Sequence, residues 1–412
     1  MHDKLFKKAD IVARYRAGPY VEDRERYLRQ AGAEGYSHST LKRIAWVLLI
    51  VAEAVQSHGG SISSTRLRSL LGRRVRLGNG RRPSQSTGSL FRRYGEDWLR
   101  SIGALQPEAA QPPRFARELR AFSEYMLVER GLSPVTIATR EERLCWFFAS
   151  LPSRVRSLND VTIGQIDAYL EGEAQRGWCR SSLHALGSSL RCFFRYAAQQ
   201  GWCAASLALG IDLPRRYALG DVPMAPTVDE VDHLLVATAT DNDPATIRNH
   251  AVLSLLIQYG LRRGEVERLT LDDIDWVAER LHVMRSKLRW PQCYPLSAPV
   301  GEAILRYLRD ARPRCEHRAV FLTINAPFRP LSGSSISAMV RMRLRKQGVK
   351  LDRIGAHCLR HSCAGQLLDA GFTLKQIADH LGHRSMNSTR IYTKIDVQGL
   401  RQVAELDLGA LL

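Results

Sequence analysis

Three short strings after residue 259, with one isolated lysine, carry residue types that can act on a phosphodiester. Gly260-Leu261-Arg262-Arg263-Gly264-Glu265 sets an arginine beside a glutamate at a turn that glycine permits. His357-Cys358-Leu359-Arg360-His361 places His357 and Arg360 three residues apart, on one face of a helix, with His361 beside them. Ile377-Ala378-Asp379-His380-Leu381-Gly382-His383 is followed by Tyr392, within Ser388-Thr389-Arg390-Ile391-Tyr392-Thr393. Each string alone is weak, because helix–turn junctions often carry arginines and a lone tyrosine is ordinarily core or surface. A metal site at His357, Cys358 and Cys363 fits poorly: no ligand spacing recurs, and Arg360 would repel the cation. Taken together the strings make a different site. Phosphoryl transfer crowds negative charge on the non-bridging oxygens, and preorganised guanidiniums neutralise it without a metal. A tyrosine, with an ordinary pKa near 10, becomes a nucleophile only if its proton is drawn away, which a histidine can do. The departing hydroxyl needs a general acid, and an ammonium can supply it. Between Lys42 and Lys346 the chain offers a single ammonium, Lys287.

These groups need elements to hold them. His250 to Tyr259 predicts a strongly apolar helix ending at the first arginine string. Leu281-His282-Val283-Met284 and Cys293-Tyr294-Pro295-Leu296 read as two short strands of a hairpin around Lys287. From Ile354 onward the pattern is helical again. Leu374, Ile377, Ala378 and Leu381 make a stripe, and Gly382 is its C-terminal cap, so that His383 projects just past a helix end. Upstream, Thr227 with Glu230 forms a capping box that opens this segment, 222–412. A linker, Leu213-Pro214 to Pro226, precedes it. Residues 112–214 predict four or five helices. Their signals are Ser133-Pro134 as N-cap and first-turn proline, a Thr162/Gln165 capping box, and Leu183, Leu186, Leu190, Phe193, Phe194 and Ala197 on one helix face. Arg180, Arg191 and Arg195 lie off that face, toward DNA or water.

Composition narrows the partner. The chain has 412 residues, 45% hydrophobic and 25% charged, which excludes global disorder, a collagen-like fibre and a disulfide-dense mini-protein. Lys plus Arg is 60 against 41 acidic residues, a net charge of +19, and only nine of the 60 are lysines. That excess points to a polyanion, most simply nucleic acid, and arginine grips phosphate as a bidentate fork. The apolar run Ile44–Ala52 is too short to span a bilayer and belongs to a buried helix near 40–57. The start lacks the apolar core of a secretory signal, and the eight cysteines form no C-x-x-C pair, so the expected setting is the reducing cytoplasm. Residues 1–111 are strongly basic. Arg66 to Arg93 holds nine arginines and no acid, and Arg73, Arg74, Arg76, Arg81 and Arg82 are its candidates for phosphate contact. The plain alternative is a solvated loop.

The order Arg, Lys, His-x-x-Arg, Leu-Gly-His, Tyr resembles that of the tyrosine recombinase, or phage integrase, family. The matching strings are Tyr259-Gly260-Leu261-Arg262 with Glu265, His357-Cys358-Leu359-Arg360-His361, Leu381-Gly382-His383 and Ile391-Tyr392-Thr393. Leu269 and Asp272-Asp273-Ile274-Asp275 fit the stretch after the first arginine. The resemblance covers roughly 113–412. It implies a mainly α protein, with a helical core-binding domain and an α+β catalytic domain holding a small antiparallel sheet, here preceded by a basic helical N-terminal extension. It implies that Arg262 and Arg360 clamp the scissile phosphate and that Tyr392 forms a 3′-phosphotyrosyl link. His357 would act as base toward Tyr392, His383 would hydrogen-bond the phosphate, and Lys287 would protonate the 5′-hydroxyl, with Glu265 in support. The lysine hairpin lacks the glycine-rich turn common in the family, but the spacing from Lys287 to Pro295 fits. No ATP, metal or other cofactor is implied. The implied partner is double-stranded DNA, bound by a homotetramer, alone or with other recombinases of one mobile element. The tail Val397, Leu400, Val403, Ala404, Leu408, Leu411 and Leu412 would dock on a neighbouring subunit or on its own domain. Integration, excision or transposition is the expected role. Chromosome-dimer resolution and type IB topoisomerase-like relaxation are the alternatives.

Overall fold

The computed structural model describes residues 1–74, 85–106, 112–214, 224–285, 291–351, 354–383, 389 and 391–392. Lys287, Arg76, Arg81, Arg82, the side chains of Arg73 and Arg74, and the tail 397–412 lie outside this set. The chain divides into two compact units, one from residues 1–108 and 221–412 and one from residues 109–220. No described helix is long and apolar enough to cross a membrane.

Residues 114–214 give five helices, Ala116–Val128, Pro134–Ser150, Ile163–Gln175, Arg180–Gln199 and Ala205–Gly210. The start signals work as expected. The Ser133 side chain accepts from the Thr136 amide, with Pro134 in the first turn, and Gln165 Oε1 accepts from the Thr162 amide. Leu186, Leu190, Phe193, Phe194 and Ala197 are buried, with Phe122, Phe147, Phe148 and Ile166, in one core. Arg180 is exposed at a helix start, whereas Arg191 donates to the Ile211 carbonyl inside the unit.

In the other unit, residues 1–106 build a separate apolar core around His38–Gln56, whose Ile44, Val47, Leu48, Val51, Ala52 and Val55 are all buried. Two further helices, Ala9–Ala17 and Val21–Ala33, pack there without an apolar stripe to announce them. The reason is Arg24, fully buried in Val21–Ala33. Its guanidinium donates to the carbonyls of Tyr15, Gly18 and Pro19, so a charged side chain occupies the inward position.

The later segment is helical around a three-stranded antiparallel sheet, Ile274–Asp275, Arg280–Met284 and Pro291–Pro295, in that order. The first strand adds to the expected hairpin. Leu281 pairs with Tyr294 and Val283 with Gln292. Period-two alternation turns Leu281, Val283 and then Arg285 inward. The Pro244–Gln258 helix is buried nearly all round and ends at Tyr259, as its composition requires. Its core joins Val252, Leu255 and Leu256 to Ile304, Tyr307 and Leu359. A smaller cluster of Cys363, Ala364, Ile377, Leu381 and Tyr392 closes the far side.

Candidate active site

The site is built on the C-terminal end of one short helix, Leu374–Leu381. A helix end leaves its last carbonyls without intrahelical partners and carries partial negative charge. Here three guanidiniums from three separate stretches take three successive carbonyls. Arg285 Nη2 donates to His380 O at 3.0 Å, Arg360 Nη2 to Leu381 O at 2.6 Å and Arg262 Nη2 to Gly382 O at 3.2 Å. The chain then turns sharply. Gly382 has φ +63°, and a Cβ there would lie 2.7 Å from Arg285 Nε, so both conformation and space require glycine. The His383 amide donates to Ala378 O, closing the cap and fixing the side chain just past the helix.

Arg262 is aimed by Glu265. The carboxylate accepts from the Arg262 amide at 2.8 Å and from its Nη1 at 2.9 Å, and it accepts from Arg285 Nη1 at 2.6 Å. Glu265 and Arg285 are fully buried, while Arg262 keeps about a quarter of its side chain open, 27%. Arg285 also donates to Gln292 Oε1 and to the Tyr294 hydroxyl, which in turn donates to His380 O. Arg360 is buried at 1% exposure and held at both ends, by Gly260 O and Leu381 O, each at 2.6 Å. Its Nε–H has no acceptor among the described residues. Burial and the neighbouring Arg262 pull its pKa down to about 10, which leaves it charged at neutral pH. Gly260 makes this approach possible: its φ is +58°, and a Cβ would come 2.6 Å from Leu381 Cδ2.

The histidines are neutral in this setting. Burial, then Arg360 and Arg262, bring His383 down to about 3, and its Nδ1 lies 2.6 Å from Thr389 Oγ1. Burial, then His357 and Arg360, bring His361 down to about 4. His357 opens the Ala356–Asp369 helix with an exposed side chain. It too is lowered, by desolvation and then by Arg360 and Arg262. Tyr392 is 1% exposed, and burial pushes its hydroxyl up to about 12. That hydroxyl lies 3.0 Å from His361 Nδ1, and the His361 ring stacks edge-on to His357 at 4.5 Å. The hydrogen bond expected for His357 thus goes to His361, one helical position past Arg360.

Arg262, Glu265, Arg360, His383 and Tyr392 therefore lie on one framework with His357 at its open side. Arg285, Gln292, Tyr294 and Thr389 join them without having been singled out from the sequence. For Arg285 a signal existed: it continues the inward period of Leu281 and Val283, where an arginine requires a buried partner. No group of three or more His, Cys, Asp or Glu side chains that could hold a metal occurs among the described residues.

The family profile described as "Phage integrase family" matches residues 227–398, and the one described as "Phage integrase, N-terminal SAM-like domain" matches 119–201. The integrase/recombinase y4gC of Sinorhizobium fredii (strain NBRC 101917 / NGR234) is 44% identical over 44% of this chain and 93% of its own length. The integrase/recombinase y4rA of the same strain is 33% identical over 74% of this chain and 75% of its own. The chain belongs to the phage integrase family of tyrosine recombinases. Among solved structures, XerH recombinase in a post-cleavage complex with a palindromic difH substrate superposes with a TM-score of 0.55. It shares 18% identity over 83% of this chain and 96% of that one, a likeness of fold. This recombinase is thus an enzyme of site-specific DNA strand exchange.

In the other unit, a concave groove of about 420 Å³ is lined by Thr136, Thr139, Arg140, Arg143, His184 and Ser189. Arg143 donates to Ala185 O and Ser189 Oγ, and Arg140 to Cys192 Sγ, so both are anchored at the groove wall. Sequence reasoning passed over both arginines in favour of Arg180 and Arg191.

Proposed function

We propose that Arg262 and Arg360 clamp the non-bridging oxygens of one phosphate while Tyr392 attacks its phosphorus. The new bond is a 3′-phosphotyrosyl ester, formed as the phenolic proton passes to the neighbouring His357/His361 pair; the bond to the 5′ oxygen breaks, and Lys287 delivers the proton that oxygen needs. His383 and His357 donate hydrogen bonds to the phosphate from neutral rings. Religation reverses the steps with a 5′-hydroxyl from another strand. The ester conserves the energy of the phosphodiester, so neither ATP nor a metal enters. One observation carries this reading. The two guanidiniums stand on adjacent carbonyls, 381 and 382, beside a buried tyrosine, and the Arg360 Nε–H has no acceptor among the described residues. Two forks at that spacing suit an anion with two equivalent oxygens.

Exchange between two duplexes breaks four strands, and one nucleophile per subunit then requires four subunits, so the working form is a homotetramer on DNA. The basic groove at Arg140 and Arg143, with Arg180 beyond it, supplies contacts to the DNA backbone. Arg73, Arg74, Arg76, Arg81 and Arg82 add further phosphate contacts. Arg191, held by Ile211 O, serves its own unit instead. The biological role is integration and excision, or transposition, of a mobile element in the cytoplasm, on the nucleoid. The relatives named integrase/recombinase and the extra segment before residue 112 support that role over chromosome-dimer resolution.

Covalent capture tests the chemistry. Purified protein is mixed, without metal or ATP, with sheared DNA from its source genome, and SDS-resistant adducts are recovered and sequenced. Wild type is expected to give adducts at a defined sequence, and Tyr392→Phe to give none. Adducts that persist in Tyr392→Phe would remove the nucleophile assignment. Relaxation of a supercoiled plasmid lacking that sequence would favour a topoisomerase.

A further inference from the structure

Among the described residues the nucleophile's hydroxyl has one hydrogen-bond partner, and it is a residue to which no role has been assigned. We infer that His361 is a catalytic residue for this recombinase, holding Tyr392 through its Nδ1 so that the phenolic proton points away from the incoming phosphate. The inference rests on the proposed role of Tyr392 and adds the group that orients it.

The geometry begins with the helix. His357 and His361 are four residues apart on Ala356–Asp369 and stack edge-on, while Arg360, between them in sequence, turns into the core toward Gly260 O and Leu381 O. His357 is exposed; His361 is half-buried and faces Tyr392, with ring centroids 5.7 Å apart. The two histidines of this string therefore divide the work: His357 faces the open side, His361 the tyrosine.

Direction follows from protonation. Burial, then the His357 ring and the Arg360 guanidinium, disfavour a second proton on His361, and the inferred tautomer places the one hydrogen on Nε2 and the lone pair on Nδ1, 3.0 Å from the Tyr392 hydroxyl. Nδ1 then accepts, and the Tyr392 hydroxyl donates. A phenol has one proton, so donating it to His361 turns an oxygen lone pair, rather than the O–H, toward a phosphorus on the other side. Tyr392 is seated by Cys363, Ala364, Ile377 and Leu381, which limits the ring but leaves the hydroxyl torsion free. His361 fixes that torsion. In the reaction the proton shifts toward His361 Nδ1 as the oxygen–phosphorus bond forms. It returns to the phenolic oxygen when a 5′-hydroxyl displaces the tyrosine.

Two substitutions separate this role from a structural one. His361→Asn keeps an acceptor close to the position of Nδ1, and His361→Leu removes it while filling much of the same volume. Adduct formation is followed with sheared source-genome DNA as the probe, and binding to the same DNA by gel shift. His361→Leu is expected to lower the cleavage rate about five- to tenfold, the size of one lost hydrogen bond. Binding should be unchanged, and His361→Asn, which can accept the hydrogen bond but not the proton, should regain part of the rate. A His361→Leu rate equal to wild type would overturn the inference. So would an Asn variant as slow as Leu, since an acceptor alone would then not suffice. Melting temperatures of His361→Leu, Tyr392→Phe and the double variant provide a readout that needs no activity. Losses smaller in combination than in sum support the contact, and strictly additive losses refute it. If wild type formed no adduct, the recombinase reading of the site would fall, whatever the melting cycle showed.

Discussion

At the scale of single residues, the site works by keeping imidazoles uncharged among arginines. His383 and His361, at about 3 and 4, lie far below the ordinary histidine value of 6.5, and His357 is lowered as well. The sign for stability follows. Below pH 6.5 the unfolded chain takes up protons on these histidines and the native chain does not, so native stability falls as pH falls. The melting temperature should therefore decline from about pH 6.5 toward pH 4, and His383→Gln should flatten the decline; a slope that Gln leaves untouched would sink the assignment. Much at this scale was legible in the sequence, because the candidate groups sit in short strings of local geometry: His357 and Arg360 one helix turn apart, and His383 directly after the cap glycine Gly382. The partner of Tyr392 was not legible. His357 and His361 are equivalent in a list of residues, and only the rotation of their helix decides which of them meets a side chain 31 positions downstream.

At the scale of elements, three segments are tied to one helix end by buried charge. Arg285 is central to that tie: it bridges Glu265 to the His380 carbonyl and also holds Gln292 and Tyr294. Arg285→Met would leave Glu265 paired to Arg262 alone among the described residues and strip a donor from three further acceptors, Gln292 Oε1, the Tyr294 hydroxyl and the His380 carbonyl. Removing one partner of a buried pair costs about 3–5 kcal/mol. Urea denaturation should show a loss of that size, with adduct formation falling too because Arg262 loses its aim. A variant as stable as wild type would show the bridge to be dispensable. Capping boxes, the hairpin and the apolar helix before Tyr259 could all be read in advance, since each depends on residues a few positions apart. The helix Val21–Ala33 could not, because Arg24 replaces an apolar side chain at the inward position and its three carbonyl partners are invisible in a hydrophobic pattern. The short strand Ile274–Asp275 escaped notice for another reason: two residues are too few to show alternation.

At the scale of the whole molecule, the net charge of +19 sets the terms of binding. Each phosphate neutralised contributes a slope of about −0.9 to log affinity against log salt. A protein using its groove and its arginine arm should lose roughly 10³ in affinity between 50 and 200 mM salt. Replacing Arg76, Arg81 and Arg82 together by Gln should reduce the slope by nearly three, as read by fluorescence anisotropy on a random duplex. An unchanged slope would place the arm away from DNA. The row of carbonyls at 380, 381 and 382 constrains this molecule in a further way. An α-helix advances about 100° and 1.5 Å per residue. One residue gained or lost between Thr373 and Gly382 would swing the entire row past all three arginines at once, while leaving every side chain chemically intact. Point substitutions on the outer face of that helix leave its phase unchanged, but changes of length do not. The distance from Thr373 to His383 thus acts as a fixed gauge: a residue inserted or deleted within it is expected to abolish the site, whereas one on either side of it leaves the row in place.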